Sequence, residues 1–446
     1  MKCDLYIKDC MLLTKDYEII DHQSIAINNS FIIDIGPISK LDKEYEPRQT
    51  ITASDKLALP GFIDGHTHTS QQLLRGRISD EYPVIYRRFN IPYESKLTEE
   101  DIELCTELSC LEMIKSGITA FADAGSIHIP TMIDVVDRSG LRASITQAIS
   151  DCDPTLPPNM TDTKENALKK SENLFLEYNG KCDGRIQIWF QFRSITTCTS
   201  ELIRELAKLA AYYHTGLHTH ISEYPESILQ SLNSYGMREI KYLESLGALG
   251  PNLLAAHCIL LSEEDIHILK NHDVKIVHCP RSNLGKGITK TPQLLAEGLS
   301  VGLGTDGTAH SGLNIFKEIT AFKHSQIAAW GVPYSDYDVM NSKTLLKMAT
   351  LGSAKAMQID NLIGTLEVNK KADFILIDMD QPHLMPTHNL LNTLMEAGET
   401  ADIKDVIVDG KILMQDREVK VLDEEYILSK GKQRLPKIAS ENGWNS

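Results

Sequence analysis

No run of about 18 consecutive apolar residues occurs in the 446-residue chain, which argues against a membrane-spanning helix. The first ten residues, Met1 to Cys10, also lack a continuous apolar stretch; they read as a strand and not as a signal peptide. Basic charge is scarce: 45 Lys and Arg stand against 61 Asp and Glu, a net charge of −16. Non-specific binding to nucleic acid or to an acidic membrane needs basic patches, so neither partner is expected. The acidic excess is otherwise the mark of a solvated surface. Nine cysteines, an odd number, are scattered with no CxxC pair. Free thiols in a reducing cytoplasm fit that pattern better than a disulfide framework, and a cytoplasmic location is expected. No low-complexity segment is present, and no internal repeat beyond an alternation of strand and helix patterns.

What the chain does have is core. Hydrophobic residues make up 42% of it, and its length suits two or three domains, or one barrel of about 250 residues with a smaller unit attached. Residues 1–56 carry short alternating strands, such as Leu5–Leu13 and Ser24–Ile35, with turn signals at Asn28-Asn29 and Gly36-Pro37. Residues 364–425 look alike: Ala372–Asp378 is a strand, and Val406–Leu413 holds two strands joined at Asp409-Gly410. The two ends, 1–56 with 364–446, are therefore expected to build one small β-sandwich. Between them, over 57–363, eight short apolar strands are predicted, at 57–64, 118–123, 142–147, 186–192, 216–220, 253–257, 275–279 and 300–305. Helical patterns separate them, including Thr98–Lys115 behind the capping box Thr98-Glu99-Glu100-Asp101, Lys164–Tyr178, Ser200–Tyr213, Pro225–Ser245 and Glu263–Lys270. The fold class expected is α/β, a (β/α)8 TIM-like barrel. An open doubly wound sheet is disfavoured, because no Gly-rich phosphate fingerprint follows the first strand. Two long connections, 71–97 with Tyr82, Tyr86, Phe89, Tyr93 and Glu94, and 151–163, are candidate lids.

The first barrel strand runs into His66-Thr67-His68. Side chains alternate along a strand, so both imidazoles share a face and can hold one metal ion if other strands complete the set. Other predicted strand ends do carry suitable groups: His218-Thr219-His220 with Glu223, His257-Cys258, His278-Cys279, and Asp306. A single strand histidine is more often satisfied by hydrogen bonds than by a metal. Polar groups converging from four or five strand ends on one face of a barrel need a reason to be desolvated, and a metal site supplies it.

These stretches also resemble the amidohydrolase superfamily, on the branch of 5'-methylthioadenosine/S-adenosylhomocysteine deaminases and triazine (atrazine and melamine) aminohydrolases. The matching segments are Pro60–Thr69, Leu73–Gly76, Ser116–Thr119, His220–Glu223, Ala256–Cys258, Ser282–Leu284, Gly304–Gly307 and Lys371–Asp373, spread over residues 3 to 425. The resemblance implies His66, His68, His220 and Asp306 as ligands of one divalent ion, and Glu223 with His257 as the groups that handle protons, with Asp306 relaying a second proton. His220 is preferred over His218 because it lies nearer the strand end and precedes Glu223 at HxxE spacing. Binuclear members of the superfamily bridge two metals with a lysine on the fourth strand; here that strand, Arg185–Phe192, has none, so one metal is expected. Zinc suits the ligand set best, with Fe(II) and Mn(II) as alternatives. The zinc deaminases that carry HxE and PCxxC signatures are excluded, since no PCxxC exists.

The resemblance implies hydrolytic deamination of a small N-heterocycle, most closely an adenosine-type nucleoside. Pro92-Tyr93-Glu94 stands where those deaminases hold the ribose hydroxyls, which makes Glu94 a substrate-binding candidate. After the fourth strand, however, the Gly-Pro-His-Ser pattern of the nucleoside branch is replaced by Gln191–Thr197, and Arg281 follows the seventh strand. Arg193 and Arg281 are candidates for contacting an anionic or carbonyl-rich substrate, as surface positions are for each, and His278 is a further candidate at the seventh strand end. The alternative is therefore an aminohydrolase or chlorohydrolase of a free heterocycle, such as an s-triazine, a pterin or a guanine-like base. A non-catalytic binding protein of this build is the third reading, but such chains usually lose a ligand or a proton group, and all six positions are kept here. A homo-oligomer, dimer or larger, is expected.

Overall fold

The two sequence regimes part at one residue, Gly61. The structure is a computed structural model that describes residues 1–81, 85–336 and 338–444, so Tyr82 of the expected lid lies outside the described residues. The apolar run expected as a single strand is two. Lys56–Pro60 pairs with Lys2–Leu13 and with Phe374–Asp378 in the terminal sheet, and Phe62–His68 pairs with Ile118–Ser126. A Cβ at Gly61 would sit 2.1 Å from Thr119 Oγ1, so the junction needs a residue without a side chain. Both strands are buried, and continuous hydrophobicity alone does not show where one ends and the next begins.

From Phe62 onward, parallel strands alternate with helices as the pattern predicts. The strands lie at 62–68, 118–126, 142–147, 186–191, 217–221, 253–257, 275–278 and 301–307, and they form two five-stranded sheets. No single closed ladder forms among the described residues. The seams fall inside the fourth and eighth strands, where isolated hydrogen bonds carry across. Trp189 N donates to Ile145 O at 3.0 Å and Phe190 N to Gly216 O at 3.1 Å; at the other seam Gly304 N donates to His278 O at 2.8 Å and Thr305 N to His66 O at 3.1 Å. The architecture is α/β and TIM-like, with the C-terminal strand ends gathered on one face. Helix Glu99–Lys115 starts at the expected capping box: Asp101 N donates to Thr98 Oγ1 at 3.2 Å and Thr98 N to Asp101 Oδ2 at 3.1 Å. The helix expected over Pro225–Ser245 is instead two, Pro225–Tyr235 and Glu239–Ser245, because Gly236 takes φ +70° and closes the first.

The termini assemble a nine-stranded sheet. Its hydrogen-bonded path runs from Glu418–Val419 through Lys411–Gln415, Ile403–Val408, Phe374–Asp378, Lys56–Pro60, Lys2–Leu13 and Ile19–Asn28 to Phe31–Pro37, with Glu46–Thr52 alongside Lys2–Leu13. Leu5, Ile7, Ile25, Ile27, Phe374 and Leu376 give it a core of its own. Arg142, at the start of the third barrel strand, ties the sheet to the barrel. It is 3% exposed and donates to Asp373 at 2.9 and 3.2 Å and to Asp409 at 3.3 Å. Removing one partner of a buried pair strands the other charge. Arg142→Met is therefore expected to lower the urea-unfolding free energy by about 3–5 kcal/mol. A loss below about 1 kcal/mol would show that the pair contributes little.

Candidate active site

His66 and His68 end the first barrel strand on one face, 0% and 3% exposed. Gly304 lets the eighth strand approach them: a Cβ there would lie 2.7 Å from the His66 backbone N and O. Asp64 fastens the same junction, accepting from Thr305 Oγ1 at 2.6 Å and Thr305 N at 3.0 Å. Three functional strand ends hold non-glycine residues with left-handed backbone: Ser222 at φ +49°, His257 at +74° and Asp306 at +62°. Such conformations cost about 1–3 kcal/mol each and persist only where surrounding structure imposes them.

The result is a converging cluster. His68 Nε2 lies 3.2 Å from His220 Nε2, and Asp306 Oδ1 lies 3.6 Å from His66 Nε2 and 3.7 Å from His68 Nε2. A tetrahedral ion with bonds of about 2.0–2.1 Å spaces its ligand atoms about 3.3–3.4 Å apart, so these separations suit one. The protonation states fit as well. Burial holds His66 below its ordinary pKa and His68 and His220 well below, the direction that favours the neutral imidazole a metal ion needs. His220 Nδ1 donates to Arg193 O at 2.9 Å, which leaves its Nε2 lone pair free, and buried His66 Nε2 has no hydrogen-bond partner among the described residues. Burial opposes the charge on Asp306, but His257, His66 and Lys286 outweigh it and keep the carboxylate well below its usual range. Three imidazoles and one carboxylate are the donors a divalent transition metal prefers. His218 takes a different place: its Nε2 is 2.8 Å from His66 Nδ1, behind the cluster, where it orients the His66 ring.

Glu223 and His257 stand beside this centre, with His257 Nε2 3.7 Å from Glu223 Oε1. Burial works against a charged Glu223, yet His257 and Lys286 outweigh it and bring its carboxyl down to about 2. His257 Nδ1 is 2.9 Å from the Asn283 side-chain amide, while its buried Nε2 has no hydrogen-bond partner among the described residues. The cavity here is walled by His68, Gln71, Tyr86, Arg193, His220, Glu223, Asp306 and His310.

The other substrate-binding candidates are placed unevenly. Arg193 lines the cavity, its guanidinium 4.4 Å from the Tyr86 ring centroid. Glu94 is 5% exposed and lies behind the wall, accepting from Gln71 Nε2 at 2.7 Å, with Oε2 4.0 Å from Arg193 Nη1. His278 is not among the cavity-lining residues; its Nδ1 donates to His257 O at 2.8 Å, which supports the strand end carrying His257. Arg281 borders a different cavity, with Gln72, Arg75, Glu112 and Lys317. It lies on the turn Pro280–Asn283, whose Ser282 and Asn283 take the positions beside Asp306 and His257. The two long connections meet: Arg87 Nη2 is 2.9 Å from Asp153 Oδ2, and Asn159 Nδ2 donates to Ser95 O at 2.7 Å. Sequence reasoning assigned no role to Gln71, Asn283, Lys286 or His310.

The amidohydrolase family profile matches residues 57–413. A 5-methylthioadenosine/S-adenosylhomocysteine deaminase of Moorella thermoacetica is 35% identical over 436 residues, which is 97% of this chain and 99% of that protein. Among solved structures, an adenosine deaminase from Xanthomonas campestris with bound zinc superposes with a TM-score of 0.92 at 25% identity, covering 98% of this chain and 99% of that one. An atrazine chlorohydrolase from Arthrobacter aurescens, complexed with zinc, shares the fold with a TM-score of 0.86 at 23% identity, over 97% of this chain and 100% of its own. The profile, the full-length relative and the histidine–aspartate centre agree: the chain belongs to the amidohydrolase family and is a hydrolase of C–N bonds.

Proposed function

We propose that the protein is a metal-dependent deaminase that releases ammonia from an adenosine-type nucleoside, of the 5'-methylthioadenosine or S-adenosylhomocysteine kind. The observation that carries the reading is geometric: Glu223 lines the cavity with His257 Nε2 3.7 Å from its Oε1, and both stand beside the cluster of His66, His68, His220 and Asp306. Zinc fits that donor set best, and a divalent ion held there supplies water of lowered pKa. The chain's own groups do the rest. Glu223 takes the proton of the attacking water and delivers it to the ring nitrogen next to the amino-bearing carbon. His257 Nε2 donates to the oxygen that is adding to that carbon and steadies the tetrahedral arrangement. Asp306 passes the second water proton to the amino group, the C–N bond breaks, and ammonia leaves an oxo heterocycle.

The Gln71–Glu94–Arg193 group supports the sugar. Glu94 lies one layer from the cavity behind Gln71, where burial raises its carboxyl and Arg193 and Gln71 work against that rise; in its ionised form it accepts well from two vicinal hydroxyls. Losing a bond to a charged group costs about 1.5–3 kcal/mol. Glu94→Gln is thus expected to lower kcat/KM about 10–150-fold on a nucleoside and to leave its free base little affected. Equal effects on both, or activity confined to free heterocycles, would remove the nucleoside assignment and leave the hydrolytic site standing. A second reading, a free s-triazine, pterin or guanine-like base, is favoured by two observations: the Gly-Pro-His-Ser pattern is absent, and Arg193 Nη1 in its place has no hydrogen-bond partner among the described residues.

A further inference from the structure

Lys286 is a buried lysine with no role in the chemistry described so far. Its side chain is 2% exposed, and its Nζ donates to Glu223 Oε1 at 2.6 Å and to Ser282 Oγ at 2.9 Å. The same Nζ lies 3.7 Å from Asp306 Oδ2 and 5.1 Å from the Tyr224 ring centroid. Taking an ammonium out of water is costly, and a fold that only needed to fill this space would do so with an apolar side chain. Lys286 therefore stands where its charge is used.

Its surroundings distinguish the two oxygens of each carboxylate. On Glu223, Oε1 is held, and Oε2 has no protein hydrogen-bond partner among the described residues, in a side chain that lines the cavity. On Asp306, Oδ2 accepts from Ser282 Oγ and faces Lys286, while Oδ1 faces His66 and His68. Lys286 and Ser282 thus form one bracket behind both proton-carrying groups. We propose that Lys286 is a positioning residue for the reaction: it fixes the Glu223 carboxylate by one oxygen, presents the other to water and substrate, and keeps Glu223 and Asp306 in a fixed relation. The proposal rests on the reading of Glu223 as the proton carrier. The titratable groups facing Lys286 are Glu223, Asp306 and Tyr224, with His257, Cys279 and His310 beyond them.

The test compares Lys286→Gln and Lys286→Arg with the metal-loaded wild type, reading metal content, KM, kcat and the pH–kcat profile. Lys286→Gln is expected to retain its metal and KM and to lose about 10–100-fold in kcat, the usual effect of removing a hydrogen-bonded support behind an active-site group. Because Lys286 and His257 together hold Glu223 down, the acidic limb moves to higher pH when the lysine charge goes. Lys286→Arg keeps a positive charge and restores part of the rate and the wild-type limb; it serves as the reading if the Gln variant does not fold. A Lys286→Gln enzyme with wild-type kcat and limb, or one that loses its metal, overturns the proposal, as does an Arg variant whose limb moves as if the charge were gone. If Glu223→Gln is itself fully active, the reading of the whole site fails. If Glu223→Gln is inactive and Lys286→Gln is wild type, only the role of Lys286 does.

Discussion

Glu223→Gln is expected to keep the metal and lose about 10²–10⁴-fold in kcat. The substitution preserves size and the hydrogen-bonding reach toward Lys286, but an amide does not take up a proton at neutral pH. Structure sharpens the expectation. Glu223 belongs to neither group that could hold a metal ion, His66 with His68 and His220 or His66 with His257 and Asp306, so its loss leaves both complete. KM should change little, because the step removed is proton transfer and not the binding of a ring. A variant that lost metal along with activity would place Glu223 among the ligands. One with wild-type kcat would remove it from the chemistry.

The second large effect separates two histidines of one strand. His220→Ala removes an atom 3.2 Å from His68 Nε2 and should strip the metal and abolish turnover. His218→Ala removes only the group 2.8 Å behind His66 Nδ1, and the expected loss is about 10–100-fold in metal affinity, with turnover recovered at high metal concentration. Metal titration of both variants after dialysis reads the difference directly. If His218→Ala loses the metal and His220→Ala does not, the ligand assignment is reversed. Wild-type protein should bind one equivalent, and two equivalents would contradict the mononuclear reading taken from the lysine-free fourth strand.

The histidine pair shows what the sequence made legible. His66 and His68 sit i, i+2 at the end of a hydrophobic run, and strand geometry forces that spacing onto one face. The alternation of strands and helices gave the layer order, and the Thr98 capping box gave a helix start to the residue. Other features depend on backbone turns that residue spacing does not encode. Gly61 divides one apolar run into strands of two different sheets, and the left-handed turns at Ser222, His257 and Asp306 aim side chains in ways a periodicity argument misses. Arg281 shows the same limit: a basic residue next to a strand end reads as a substrate contact, but the Pro280–Asn283 turn gives the inner positions to Ser282 and Asn283. Lys286 was hidden for the opposite reason. Its chemistry comes from two carboxylates 63 and 20 residues away in sequence, and only the fold brings them together.

The central claim is hydrolytic removal of an amino group at this histidine–aspartate centre, and ammonia release measures it most directly. Metal-loaded protein would be incubated with a panel of 5'-methylthioadenosine, S-adenosylhomocysteine, adenosine, guanine, a pterin and an aminotriazine, with Glu223→Gln as the control. The account predicts ammonia from the adenosine-type nucleosides at a rate that falls by about 10²–10⁴ in the control. No ammonia from any member of the panel, or equal release by wild type and Glu223→Gln, would contradict it.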